Sequence, residues 1–191
     1  MPNHVENDLF ISGETERLKA FLAGLKRDAE GKFSILRSFY PMPEELSETT
    51  SPTRIITAEE KEKQAEANKD KIEDFKSYGI TLEEQAALLE KYGVDNWYDW
   101  ANNNWGTKWG DYNAKITDGD GEDEPYRIAI TFESAWSPPI KGMAAVVAQF
   151  PDLEFSMYSY EMGMQYQTGH EYKDGKLVEA WLHKYQGNRG G

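Results

Sequence analysis

Tyr126-Arg-Ile-Ala-Ile-Thr-Phe-Glu-Ser-Ala-Trp-Ser-Pro-Pro-Ile-Lys-Gly-Met-Ala-Ala-Val-Val-Ala-Gln-Phe150 carries a strand, a turn and a helix in one run. Tyr126, Ile128, Ile130 and Phe132 alternate with Arg127, Ala129, Thr131 and Glu133, the period of a half-buried strand. Pro138-Pro139 opens a helix, where the N–H that proline lacks would be unpaired anyway. Met143, Val146, Val147 and Phe150 then fall at i, i+3, i+4 and i+7, which lines one helical face. Pro151 stops it. Residues 153–160 predict a returning strand, residues 164–172 another after Gly163, and Asp174-Gly175 a tight hairpin into residues 177–182.

The N-terminal block shows the same grammar. Val5, Asn7, Leu9 and Ile11 share one parity, predicting a strand over residues 4–12 that Ser12-Gly13 breaks. Leu18, Phe21, Leu22 and Leu25 repeat the helical spacing, with Gly31 closing the segment. Residues 33–40 are expected as a second strand, ended by Pro41-Met-Pro43. Two strand–helix–strand halves predict an α+β, ferredoxin-like antiparallel sheet with two helices on one face, as a single domain over residues 1–191.

Between the halves, residues 44–104 predict a helical insertion. Thr57-Ala-Glu-Glu60 and Thr81-Leu-Glu-Glu84 both have the capping-box pattern that starts a helix. The helix over 57–78 has few apolar positions (Ala65, Ile72, Phe75) and is expected as a solvated surface helix. The next carries Leu82, Ala86, Leu89 and Tyr92 as a docking face. Residues 44–52 are expected as a mobile linker, and Trp97-Tyr-Asp-Trp100 begins a third, aromatic helix ending near Trp105.

Several motifs occur together in order: Met1-Pro-Asn-His-Val-Glu-Asn7 with Ile11-Ser-Gly13, Tyr40-Pro-Met-Pro-Glu-Glu-Leu46, Trp97-Tyr-Asp-Trp100 with Asn104-Trp-Gly-Thr-Lys-Trp109, and Ala135-Trp-Ser-Pro-Pro139. In these the chain resembles the YubB-type ferredoxin-like family carried by bacterial plasmids and phages. The resemblance implies a ferredoxin-like fold and a mobile-element setting, and it assigns no activity. Many members have Trp at position 4 and Cys at position 5, where this chain has His4 and Val5, so no N-terminal catalytic or metal role carries over.

Charge narrows the function classes. Against 34 Asp and Glu stand 21 Lys and Arg, a formal charge of −13 over 191 residues. Phosphate backbones and anionic membranes repel such a chain, which argues against direct nucleic-acid or membrane binding. An acidic surface suits a basic protein partner, one that normally holds nucleic acid. There is no cysteine, which excludes disulfides, thiolate nucleophiles and Cys-ligated zinc. Met1-Pro-Asn-His-Val-Glu6 lacks the layout of a signal peptide, so the expected location is the cytoplasm of a bacterial host.

No nucleophile elbow, phosphate-binding loop or dinucleotide fingerprint is present. His4, His170 and His183 show no metal-ligand spacing. The acidic run 118–124 has Asp123 where a calcium loop needs glycine, and is expected as a solvated hairpin loop. The expectation is a non-enzymatic protein with no cofactor and no metal, acting by protein–protein contact with a host protein, such as a basic, nucleic-acid-binding defence component. A homodimer is compatible with it. The alternative is a small-ligand or nucleotide-signal binding protein whose pocket uses Trp105, Lys108, Trp109 and Trp136 through stacking and cation–π contact; for the first two tryptophans the competing role is packing around Gly106 and Gly110. Tyr158 and Tyr160 fall on the face opposite Leu153, Phe155 and Met157, where an uncovered sheet can bind a partner; the alternative is that the insertion or a second subunit covers this face.

Overall fold

The computed structural model describes residues 3–69, 78–119 and 125–187. In chain order the elements are β1 (His4–Ser12), α1 (Thr15–Gly24), α2 (Ile35–Phe39), α3 (Glu44–Ser47), α4 (Ala58–Asn68), α5 (Leu82–Tyr92), α6 (Trp97–Asn104), β2 (Asp111–Asp118), β3 (Arg127–Ala135), α7 (Ile140–Val147), β4 (Glu154–Glu161), β5 (Tyr166–Lys173) and β6 (Lys176–Lys184). They form two compact units, Met1–Pro41 with Asn104–Gly191, and Met42–Asn103.

The first unit is a six-stranded sheet in the order β2-β3-β1-β4-β5-β6, antiparallel at every junction. Strands β2-β3-β1-β4 with α1 and α7 reproduce the ferredoxin-like arrangement, and β5 and β6 extend it beyond β4. Period-2 burial fixes the register. Leu9 lies between Ile130 and Met157, Ile11 between Ile128 and Phe155, and all six side chains are buried. Asn7, on the same face, is fully buried but satisfied: its amide donates to Ser134 Oγ at 3.0 Å, and its carbonyl accepts from Ser159 Oγ at 2.7 Å.

Helices α1, α2 and α7 cover this apolar face. Phe21 of α1 meets Phe155 of β4 and Phe39 of α2, with ring centroids 6.0 and 5.0 Å apart, and Phe150 joins the cluster. Met143, Val146 and Val147 of α7 are fully buried, as their spacing predicts, and Pro139 is the N-cap residue. Arg17 and Asp152 pair at the surface between α1 and the start of β4.

Residues 33–40 are not a strand. Phe33 makes only an isolated bridge to Arg27, and Ile35–Phe39 is helical. The cause is Asp111, far along the chain and 3 % exposed. Its carboxylate accepts from Ser34 Oγ at 2.7 Å and from the N–H groups of Ile35 and Leu36 at 2.7 and 2.9 Å, which caps α2. The second ferredoxin strand is instead β2, so the helical unit is inserted between α2 and β2.

Within the second unit both capping boxes form, Thr57 with Glu60 and Thr81 with Glu84. Residues 44–52 hold a helical turn, α3, anchored by fully buried Leu46, in place of the expected linker. Glu45 of α3 accepts from Lys91 Nζ at 2.6 Å and Tyr92 OH at 2.9 Å, and these bonds hold its carboxyl down at about 2. On α5 the buried residue is Leu88, while Leu82 and Leu89 of the expected docking face are exposed. The helix expected over 57–78 is described as Ala58–Asn68; its Ile72 and Phe75, and most of the acidic run 118–124, lie outside the described residues.

Candidate functional site: the sheet face opposite α1, α2 and α7

Side chains of opposite parity to the core build the second face of the sheet, and α1, α2 and α7 all lie on the other side. Its central row follows from the register: Thr131 of β3, Asp8 of β1, Tyr158 of β4, Gly169 of β5 and Trp181 of β6. Gly169 makes room in this row, because a Cβ there would overlap the Trp181 indole. The indole thereby reaches across β5 to Tyr158, at 6.2 Å between centroids, and stacks on His183 at 5.0 Å. Phe10, 6.1 Å from Tyr158, extends the aromatic strip over β1. Tyr158 OH donates to Glu171 Oε1 at 2.8 Å, and this bond with the carboxylate raises the phenol's pKa, so Tyr158 stays a neutral donor.

Carboxylates frame the strip. Glu6 is directly opposite Glu133, and Glu171 directly opposite Glu179, with Asp8 in the row between. Like charges placed opposite each other weaken an antiparallel pair. Glu133 is partly compensated by His4 Nδ1 at 3.2 Å and by Asn113, and Glu171 by Ser156 and Tyr158. His4 Nδ1 also meets Tyr112 OH at 2.9 Å, and burial, then Glu133, pushes that phenol up to about 12. Tyr160 belongs to the same face but is 6 % exposed, lining a small cleft with His4, Glu6 and Tyr185. Tyr158 and Tyr160 are thus placed as their parity predicts. Sequence reading passed over Trp181 and Phe10; Gly169 in mid-strand was the available signal.

The tryptophan motifs do something different. Trp105 is 3 % exposed, its indole N–H donates to the Tyr40 carbonyl at 2.9 Å, and it packs on Leu36 beside Gly110 and Gly142. Three bonds staple this turn to residues 135–142: Thr107 Oγ1 to the Ala135 carbonyl at 2.6 Å, Ser137 Oγ to the Gly106 carbonyl at 2.7 Å, and the Gly142 N–H to the Trp105 carbonyl at 3.2 Å. Trp136, at φ +70° and half exposed, is held by its N–H on the Asn3 carbonyl. Lys108 Nζ sits 4.8 Å over the Trp109 ring. Trp109 lines an open cleft of about 520 Å³ with Lys26, Lys32, Arg37, Tyr112 and Asn113, in which neither Trp105 nor Trp136 takes part. The four residues expected to form one pocket are therefore divided between core and surface.

In the second unit, α4 and α5 flank a cleft of about 760 Å³ floored by Ala65, Ile80 and Leu88, with the Lys61–Glu84 and Lys91–Glu45 pairs on its wall. Among the described residues, no three His, Asp or Glu side chains gather as a metal site, and no helix is long and apolar enough to cross a membrane.

Comparison with known proteins agrees with the architecture. No curated protein matches the chain. The crystal structure of protein api92 from Yersinia pseudotuberculosis superposes with a TM-score of 0.51 over 99% of this chain and 100% of that one, at 12% identity. That likeness is one of fold. Residues 111–188, which begin at β2 and leave out β1 and α1, match the family model described as the ferredoxin-like domain in Api92-like protein, so the C-terminal part of this chain is similar to that domain.

Proposed function

We propose that this is a non-enzymatic binding protein of a plasmid or phage, which holds a basic host protein on the sheet face opposite α1, α2 and α7. One observation carries the proposal. Two cross-strand pairs of glutamates, Glu6–Glu133 and Glu171–Glu179, lie on one face around an aromatic strip. A chain optimised for its own stability would alternate the signs there. A partner bearing Lys and Arg relieves the repulsion, while Phe10, Tyr158 and Trp181 supply the apolar and stacking contact that anchors interfaces. The formal charge of −13 steers the same class of partner toward the protein. The YubB-type resemblance supplies the mobile-element setting, in which a basic, nucleic-acid-binding component of a host defence system is the natural target and the bacterial cytoplasm the site of action.

The test is affinity capture from a defence-proficient bacterial lysate at low salt. A basic host protein is expected on the intact chain and on a control reversed on α4 (Glu59→Lys with Glu62→Lys). The variant Glu6→Lys with Asp8→Lys is expected to lose it. Retention by that variant, or no retention by the intact chain, contradicts the proposal.

A second reading draws on the cleft that Trp109 lines, where Lys26, Lys32 and Arg37 outnumber Asp28 and Asp111 beside an exposed indole. An anionic, planar small ligand fits that chemistry. Quenching of Trp109 fluorescence by a nucleotide, lost in Trp109→Phe, would favour it, and unmoved fluorescence across a nucleotide panel would remove it.

A further inference from the structure

The sheet has two edges, and they are built differently. At the β2 edge, pairing with β3 shifts register twice, between Tyr112 and Lys115 and between Ile116 and Asp118, and Asn113 takes φ +53°. Such irregularities spoil an edge as a template for another strand. At the other edge, β6 runs for nine residues, Lys-Leu-Val-Glu-Ala-Trp-Leu-His-Lys, with no residue buried. Leu177, Val178 and Leu182 are 47, 62 and 69 % exposed. The strand contains no proline and no interior lysine, and its one register shift lies near its start. A long, exposed, apolar edge strand recruits a further strand.

We infer that the recruited strand is β6 of a second copy, paired antiparallel about Trp181, so that two sheets join into one of twelve strands. Charge narrows the register, and a polar partner for Glu179 selects among those left. Centring the two-fold axis on Glu179 sets that glutamate against itself, and centring it on Ala180 sets Lys176 against Lys184. Centring it on Trp181 sets Glu179 of each copy opposite His183 of the other, a carboxylate facing an imidazole, twice over. Glu179 has only another acid, Glu171, opposite it within its own chain, so the second copy supplies the polar partner its own sheet lacks. On the helix-bearing face the same register sets Ala180 opposite Leu182 and Val178 against the aliphatic stem of Lys184, covering the exposed side chains. The dimer shares Glu179 and Trp181 with the basic-partner proposal, leaves Glu6, Glu133 and Asp8 to that partner, and is tested by mass and disulfide formation with no partner present; it adds the consequence that two such faces lie side by side.

Sedimentation equilibrium of the intact chain is expected to give twice the chain mass at tens of micromolar. Glu179→Lys is expected to weaken the dimer at least about tenfold, and the exchange Glu179→Lys with His183→Glu to restore it. The register has its own readout, since the chain has no cysteine. Chains carrying Ala180→Cys mixed with chains carrying Leu182→Cys are expected to form an interchain disulfide on oxidation, because directly opposed residues lie within disulfide reach; neither variant alone is expected to do so. Both positions are exposed, so folding is preserved. A monomer at that concentration, a dimer indifferent to Glu179→Lys, or no heterologous disulfide overturns the inference.

Discussion

Asp111 shows how one side chain selects a local structure at a distance. Burial pushes its carboxyl pKa up, while Ser34 and the N–H groups of Ile35 and Leu36 pull against that shift. Asp111→Ala leaves the buried N–H groups of Ile35 and Leu36 without an acceptor, while the N-cap residue Ser34 keeps its bond from the Arg37 N–H. A loss of about 2–4 kcal/mol in urea unfolding is expected, and a near-neutral variant would show that α2 holds itself. His170 makes the opposite kind of statement. It is 6 % exposed, its Nδ1 has no hydrogen-bond partner in the fold, and burial lowers its pKa. A histidine held below its ordinary value near ~6.5 binds its proton more readily when unfolded. Its contribution is therefore fully present above that value and lost as pH falls through it toward the folded pKa. Unfolding free energy is expected to drop between pH 7.5 and 5 in the native chain and to drop less in His170→Leu; equal slopes would contradict this.

Among the elements, those whose own residues carry the signal were legible in sequence. β1, β3, α7 and β4 follow their periods, and Asp174-Gly175, both at positive φ, makes the predicted hairpin. The two capping boxes form because donor and acceptor lie three residues apart. Thr81→Ala is expected to cost about 1 kcal/mol, read as faster amide exchange confined to Leu82–Tyr92 with the sheet unchanged. The misread elements depend on information outside the segment. Residues 33–40 alternate well enough for a strand, but Asp111 is invisible from Ser34. β2 keeps its alternation, Tyr112, Ala114 and Ile116 against Asn113, Lys115 and Thr117, so it is an element that the sequence shows and the expectation omits. Half of the candidate site likewise rests on information outside its own segment. Tyr158 and Tyr160 follow from parity, whereas Trp181 reaches the strip only because Gly169 of the neighbouring strand leaves room. The Trp105 and Trp109 motif looked like one feature, yet its first indole is a core residue bonded to Tyr40 and its second stands at the surface.

At the scale of the whole molecule, the sheet divides its labour between two faces. One buries the core beneath α1, α2 and α7, and the other sets Glu6 opposite Glu133 and Glu171 opposite Glu179. That division predicts a trade-off. Glu6→Gln relieves the repulsion with Glu133 and is expected to raise unfolding free energy by about 0.2–1 kcal/mol, while weakening retention of the basic partner. A variant that is both less stable and undiminished in binding would mean that Glu6 is an ordinary surface residue. The most direct measurement places a photo-crosslinking amino acid at Thr131, beside Asp8 on the face opposite α1, α2 and α7, and another at exposed Ala144 on α7. In host lysate, position 131 is expected to yield one adduct with a basic protein and position 144 none. An adduct from position 144 alone, or none from position 131, would contradict the assignment of this face as the binding surface.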